Sequence, residues 1–147
     1  MSRPEISFLV SELTSQTKSA TVSDIKRLNK GIKFLKDRPN TVLIPSVNLE
    51  NSFIMAYSDA SFGKQLDGGS QGGDIIFLAD DNKKVAVLSW SSNRLRRVVR
   101  STLSAKALQF CNTSDTAFFL NSLLCEILGK GSGFSPSLKP YRFKFTL

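Results

Sequence analysis

The sequence predicts a layered α/β domain in which a three-stranded antiparallel meander packs against one long helix. Three strand-like apolar segments follow one another closely, and a polar turn at Asp80–Lys83 joins the second and third of them. A segment of helical apolar periodicity then runs from about Thr102 to Leu128. At 147 residues, the chain is long enough to bury the core of one such domain.

Two amphipathic helices are predicted ahead of the strands. The first covers residues 6–13, where apolar side chains recur at helical spacing shortly after a proline. The second begins at an N-cap, either Thr21 or Ser23, and carries Asp24 in its first turn. It is expected to stop before Pro39, because proline cannot continue a helix.

The three strands are predicted over residues 53–59, 74–79 and 85–91. The turn-rich segment between the first two contains GGSQGG, which is interpreted as a loop and fits neither phosphate-loop template. Before the strands, the brief apolar run Val42–Ile44 indicates a linker with at most one short strand. The domain boundary is therefore placed near residue 50, which separates a helical segment at 1–50 from the layered domain at 51–147.

The long helix is predicted to begin at a cap, Ser101 or Thr102, and to end at Gly129 and Gly131. Its apolar positions are Leu103, Ala107, Phe110, Cys111, Ala117, Phe118, Leu120, Leu124, Ile127 and Leu128. The tail alternates apolar and polar residues over 141–147, which is compatible with one last strand. Such a strand would cover the free edge of the first one.

Aromatic residues and cysteines are expected to pack in the core. The aromatic residues in question are Phe110, Phe118, Phe119, Tyr57 and Trp90. Core packing is preferred for the three phenylalanines because proteins that stack bases on aromatic rings present those rings on sheets or in grooves rather than on a packed helix face. Tyr57 and Trp90 lie on predicted strands and are expected to be core residues as well. Cys111 and Cys125 lie about 21 Å apart along one helix, too far for a disulfide, and buried packing is preferred to reactivity.

Composition limits the possible functions. The formal net charge of +8 makes polyanions the first partners to consider. Histidine is absent, which excludes Ser-His-Asp and Cys-His catalysis and the usual His-containing zinc sites. No export signal and no membrane-spanning segment are recognisable, so an intracellular location without a membrane partner is expected. Nothing in the sequence predicts an oligomeric state.

Several separated motifs resemble one known family. The segment YSDASFGKQLDGGSQGG and the later segment LSWSSNRLRRVVRSTLSAKALQF resemble the ribonuclease H domain of copia-type LTR retrotransposon reverse transcriptase polyproteins. Upstream, RPEISFLVSEL and SDIKRLNKGIKFLK resemble the segments that connect polymerase and ribonuclease H in that family. The resemblance implies a ribonuclease H-like fold, incomplete and truncated at 51–147, after a connection segment at 1–50 from the reverse transcriptase side.

The resemblance also implies a metal site that this chain lacks in part. The family cuts the RNA strand of RNA/DNA hybrids with two divalent cations, such as Mg²⁺, held by several carboxylates. Asp59 matches the first catalytic aspartate, but Lys106 occupies the position of the glutamate, and no acidic residue follows Glu126. Because one carboxylate cannot hold two cations, the expected outcome is an ion pair between Asp59 and Lys106 without a metal.

Other acidic residues are not expected to replace the missing ones. Asp115 is nine residues from Lys106, which places it on the opposite face of the helix. Asp67 and Asp74 flank the GGSQGG loop and are expected to lie away from Asp59.

Three hypotheses about function follow. The preferred one is a retrotransposon-derived fragment that has lost catalysis, needs no cofactor and retains at most weak binding to an RNA/DNA hybrid or other nucleic acid. That binding would use a basic segment, consisting of Arg94, Arg96, Arg97 and Arg100, although such a segment is equally compatible with a solvated loop. The alternatives are an active Mg²⁺-dependent ribonuclease H whose missing acids come from elsewhere, and a domesticated nucleic-acid-binding or interaction module.

Overall fold

A four-stranded sheet with a 26-residue helix on one face forms the body of the protein. The structure is a computed structural model and describes residues 3–39, 44–65, 67–128 and 142–145. In chain order the elements are α1 (Ser7–Ser15), α2 (Val22–Asp37), β1 (Ser52–Ser61), β2 (Gln71–Asp80), β3 (Val85–Arg94), α3 (Thr102–Ile127) and β4 (Arg142–Phe145).

The sheet has the strand order β3-β2-β1-β4. The pairs β1–β2 and β2–β3 are antiparallel, which confirms the predicted meander. Strand β4 pairs in parallel with β1, so that Met55–Ser58 lies opposite Arg142–Phe145. The tail therefore supplies the last strand and covers the outer edge of β1, as the alternation in its sequence suggested.

The strands are longer than predicted, and the difference matters for the site. Residues 71–73, assigned to a loop from their glycines, belong to β2, where they pair with residues 59–61 of β1. Backbone hydrogen bonds to a neighbouring strand hold this segment extended, even though glycine by itself disfavours a strand. The antiparallel ladder therefore continues past Asp59 instead of ending at it.

Local capping chemistry sets the start of the two longer helices. Thr21 and Asp24 form a reciprocal capping box at the start of α2, in which each side chain accepts from the other residue's backbone N–H. Ser101 and Ser104 form the equivalent box at the start of α3. Both N-caps were among the predicted candidates. The glycines predicted to end α3 lie outside the described residues, and the last α-helical residue is Ile127.

Two apolar clusters hold α3 on the sheet. One is built from Ile54, Ala56, Ile76 and Ala117, with Leu88, Leu120 and Leu124 packed against it. The other is built from Ala60, Leu95 and Ala105, with Val99 and Leu108 packed against it. The helix therefore contacts β1 and β2 along most of its length.

The helix buries only part of the predicted apolar face: Ala117 is buried and Leu120 and Leu124 pack against the core, as predicted. Its buried residues are Ala105, Gln109, Thr113 and Ala117, which recur every four residues and are mostly small or polar. Several of the apolar positions point to solvent instead; Leu103 is 79 % exposed and Ile127 is 70 % exposed. Small side chains in this stripe let the helix lie close to the sheet, and that close packing outweighs the burial of larger residues elsewhere on the helix.

The predictions for aromatic residues and cysteines are partly wrong for the same reason. Phe118 and Phe119 are exposed on α3, and Cys111 is exposed rather than buried. Phe110, Tyr57, Trp90 and Cys125 are half-buried. Tyr57 meets Phe77 edge to face, with ring centroids 6.0 Å apart. Both cysteines are free thiols, in agreement with the prediction that no disulfide joins them.

The two N-terminal helices contact each other and the sheet. Gly31 allows α2 to approach α1 closely, since a Cβ at this position would lie 2.6 Å from Leu9 Cδ2. Helix α1 reaches the sheet where Gln71 Nε2 donates to Ser11 Oγ at 3.1 Å. The short strand considered at Val42–Ile44 lies mostly outside the described residues, and Ile44 itself has no regular structure. Among the helices that the structure describes, none has the length and apolar character needed to cross a membrane.

Candidate nucleic-acid interface

Asp59 lies near the end of β1, and its carboxylate meets a lysine from α3. The N-terminal turns of α3 bring Lys106 over the end of the strand, where Nζ lies 3.2 Å from Asp59 Oδ1. The Asp59 side chain is 65 % exposed and the Lys106 side chain is 26 % exposed. The predicted ion pair is therefore present, and it lies at the surface.

The residues around Asp59 do not fit a pair of divalent cations. Such cations take six or more oxygen ligands, mostly from carboxylates, carbonyls and water. Across residues 3–39, 44–65 and 67–128, no group of three or more His, Cys, Asp or Glu side chains comes together. The ammonium group of Lys106 also places a positive charge directly against the one carboxylate oxygen that faces it.

Asp74 lies further inside the second strand than predicted, and strand alternation turns its side chain to the face of the sheet opposite that of Asp59. It is an interior residue of β2, where it pairs with Ser58, so it stands one register position from the pair formed by Asp59 and Gly73. Its Oδ2 atom accepts from Ser91 Oγ at 2.6 Å and from Gln109 Nε2 at 3.0 Å. Asp74 therefore connects β2, β3 and α3.

Gln109 is the residue in this arrangement that the sequence analysis missed. Only 4 % of its surface is exposed, and its side chain lies against Gly72. A Cβ at position 72 would lie 2.1 Å from Gln109 Oε1, so only glycine leaves room for this packing. The signal in the sequence was the recurrence of small or polar residues every four positions along α3, which apolar periodicity overlooks.

Arg94, the first residue of the basic segment, is held in place by an acidic neighbour. Its guanidinium forms an ion pair with Asp67, from the segment between β1 and β2. The backbone N–H of Gly69 also donates to Asp67 at 3.0 Å. Both contacts lower the pKa of Asp67 below its ordinary value, and the hydrogen bond from Gly69 has the larger effect. The predicted loop arginine is thus the last residue of β3, and its guanidinium forms an ion pair at the surface.

The other three arginines differ from Arg94. Arg96, Arg97 and Arg100 are exposed on the segment between β3 and α3. None of the ion pairs among the described residues includes any of them. These three guanidinium groups are therefore available for an external anion.

An open groove of about 720 Å³ lies between β3 and α3, beside these arginines. Ser89, Ser91 and Asn93 line it from the strand, and Gln109, Asn112 and Thr116 line it from the helix. Its lining also includes Asp74, Leu95, Leu108, Arg94, Arg96 and Arg97. We call this the polar groove. The sequence did not predict it, because it exists only where α3 leaves part of β3 uncovered.

Comparison with known proteins finds relatives of one kind. The chain is 31 % identical over 126 residues to the retrovirus-related Pol polyprotein from transposon RE1 of Arabidopsis thaliana, and 29 % identical over 126 residues to that from transposon RE2 of the same plant. The relatives support a retrotransposon polyprotein origin for this chain. In each case the match covers 85 % of the chain but only 8 % of the relative, so this chain corresponds to a small part of those polyproteins.

Two other comparisons give no match. No protein-family model matches the chain. No solved structure is significantly similar to it.

Proposed function

We propose that this chain is a ribonuclease H-like module of copia-type retrotransposon origin that does not cleave RNA/DNA hybrids and that binds the nucleic-acid backbone through its free arginines. The contact between Lys106 Nζ and Asp59 Oδ1 at 3.2 Å supports the loss of catalysis. Its significance rests on the sequence resemblance, in which these two positions carry the first two acids of the metal site. A lysine there opposes the binding of cations instead of assisting it.

Backbone binding is supported by the distribution of charge. Arg96, Arg97 and Arg100 are exposed, and no carboxylate among the described residues neutralises them. Arginine forms bidentate hydrogen bonds with phosphate oxygens, and contacts of this kind give binding without sequence preference. With about three such contacts, the expected dissociation constant lies in the range of about 1–100 µM that is typical of non-specific binding.

A cleavage assay tests the loss of catalysis. A labelled RNA/DNA hybrid is incubated with the chain and Mg²⁺ or Mn²⁺, alongside the variant Asp59→Ala as the background. We expect no cleavage by the natural chain above that background. Robust cleavage that disappears in Asp59→Ala would show an active enzyme that obtains its remaining acids elsewhere, and the proposal would be wrong.

A binding assay tests the backbone contacts. The double variant Arg96→Glu with Arg97→Glu is compared with Lys26→Glu and Lys30→Glu, a change of equal charge on the exposed side of α2. We expect the arginine variant to lose at least tenfold in affinity for the hybrid. The slope of the logarithm of its binding constant against the logarithm of the salt concentration should become shallower by about two units. Equal losses in the two variants would mean that only net charge matters, which contradicts a site at Arg96 and Arg97.

A further inference from the structure

The polar groove has an unusual lining for a position beneath a helix. On the face of a sheet that a helix covers, apolar side chains are the usual occupants. Here β3 presents Ser89, Ser91 and Asn93 toward α3, and the helix presents Gln109 and Asn112 in return. The groove therefore contains hydroxyl and amide groups, which can both donate and accept hydrogen bonds.

Depth separates the groups of the groove into two kinds. Ser89, Ser91 and Thr116 are half-buried, whereas Arg96 and Arg97 are exposed. A ligand that enters the groove would thus meet hydroxyl and amide groups together with the Asp74 carboxylate inside, and guanidinium groups outside. A nucleotide matches this distribution, because the N–H groups of a base can donate to the Asp74 carboxylate and the hydroxyl groups, while its charged phosphate suits the guanidinium groups.

Size and access favour single strands over duplexes. A volume of about 720 Å³ suits a ligand of roughly one or two nucleotides. The bases of a duplex are paired inside the helix, so a duplex can reach the arginines but not the interior of the groove. Unpaired bases can enter and place their faces against Leu95 and Leu108, which also line it.

We propose that the polar groove binds unpaired bases of a single-stranded nucleic acid, while Arg96 and Arg97 hold the adjoining phosphates. This inference rests on the proposed function for the phosphate contacts and adds a second binding mode. The Arg94 guanidinium, which also lines the groove and is paired with Asp67, offers a planar group on which a base can stack.

The test compares three probes by fluorescence anisotropy: a short labelled oligouridine, the matching oligodeoxythymidine and a labelled RNA/DNA hybrid. The informative variant is Asn93→Ala with Asn112→Ala, because both side chains line the groove and both are exposed, so folding is preserved. Asn29→Ala, at an exposed position of α2, is the matched control. We expect a loss of about tenfold in affinity for both single strands and less than twofold for the hybrid.

A second variant, Ser89→Phe, fills the groove with an aromatic residue that strands accept well. It is expected to weaken single-strand binding at least tenfold and to leave hybrid binding unchanged. If the hybrid binds but neither variant affects single strands more than the hybrid, the groove inference is wrong while the proposed backbone binding stands. If no probe binds the natural chain, both are wrong.

Discussion

Asp74 and Asp59 stand on neighbouring strands, one register position apart, yet they have different roles. The Asp74 carboxylate is half-buried and accepts hydrogen bonds from Ser91 and Gln109. The Asp59 carboxylate is largely exposed, and among the residues that the structure describes its ion-pair partner is Lys106. A carboxylate is expected to stabilise the fold when it is withdrawn from water and accepts several hydrogen bonds, as Asp74 does and the largely exposed Asp59 does not.

The largest effect on stability is expected at Gly72, because the hydrogen bond between Gln109 and Asp74 requires that position 72 have no side chain. Gly72→Ala would push Gln109 away from Asp74, since the new Cβ would lie 2.1 Å from Gln109 Oε1. We expect a loss of about 3 kcal/mol in the free energy of unfolding, measured with urea. Gly73→Ala is the matched control, because the nearest atom to its Cβ would lie 3.4 Å away. Equal losses in the two variants would contradict the importance of this contact.

Removing the Gln109 side chain, which donates to Asp74, should reduce the free energy of unfolding somewhat less than Gly72→Ala does. Gln109→Ala leaves the half-buried Asp74 carboxylate with only Ser91 as a partner in this group, and we expect a loss of about 2 kcal/mol. Asn112→Ala, one turn further along the exposed side of the same helix, serves as the control and should change stability by less than about 0.5 kcal/mol. If Gln109→Ala leaves the free energy of unfolding unchanged, then Asp74 contributes as little to stability as Asp59.

Asp80 extends the comparison to a third carboxylate, at the far end of β2. It is 3 % exposed, and the backbone N–H groups of Asn48 and Lys84 donate to it at 3.1 and 3.0 Å. The Asn48 hydrogen bond is the largest of the effects that lower the pKa of Asp80. Because the folded pKa lies below the unfolded value of about 3.9, the carboxylate stabilises the fold above that value and loses this effect as the pH falls through the folded pKa.

Urea titrations at about pH 6 and about pH 3 measure this effect. Asp80→Asn should be less stable than the natural chain at the higher pH, and the difference should narrow at the lower pH. Asp24 and Asp67, whose pKa values are also lowered, remain in both proteins and cancel in the difference. A difference that does not change with pH would show that the charge of Asp80 is unimportant.

The smallest effect is expected at the exposed ion pair. Asp59→Ala and Lys106→Ala should each change the free energy of unfolding by less than about 1 kcal/mol. The coupling energy between them in a double-mutant cycle should lie within the same range and should decrease in high salt. A coupling well above that range, insensitive to salt, would make the pair a structural element like Asp74. The comparison between the two aspartates would then fail.

Much of the local structure follows from the sequence. The two capping boxes, at Thr21 and Ser101, were among the predicted caps because a side chain and a backbone three residues away suffice to form them. The antiparallel meander was predictable because β2 and β3 are joined by a short polar turn. The ion pair of Asp59 with Lys106 was predictable only through the resemblance, which aligned two residues far apart in the chain.

The buried face of α3 could not be predicted from apolar periodicity. The pattern favoured Phe118 and Ile127, which are exposed, and overlooked Gln109 and Thr113, which are buried. The helix carries apolar residues on several sides, so hydrophobicity alone does not select one of them. The choice depends on how closely the helix can approach the sheet.

By itself, then, the sequence determined the order of the three antiparallel strands, the caps and the excess of basic residues, and through the resemblance it placed a lysine opposite Asp59. The tertiary structure alone decided which arginines have no ion pair among the described residues, where Asp74 lies and that a polar groove opens between β3 and α3. The physical reason is the sequence separation of the residues involved. Capping and strand alternation depend on neighbours in the chain, whereas the arginine contacts, the position of Asp74 and the groove depend on how β2, β3 and α3 pack around Gly72 and Gln109.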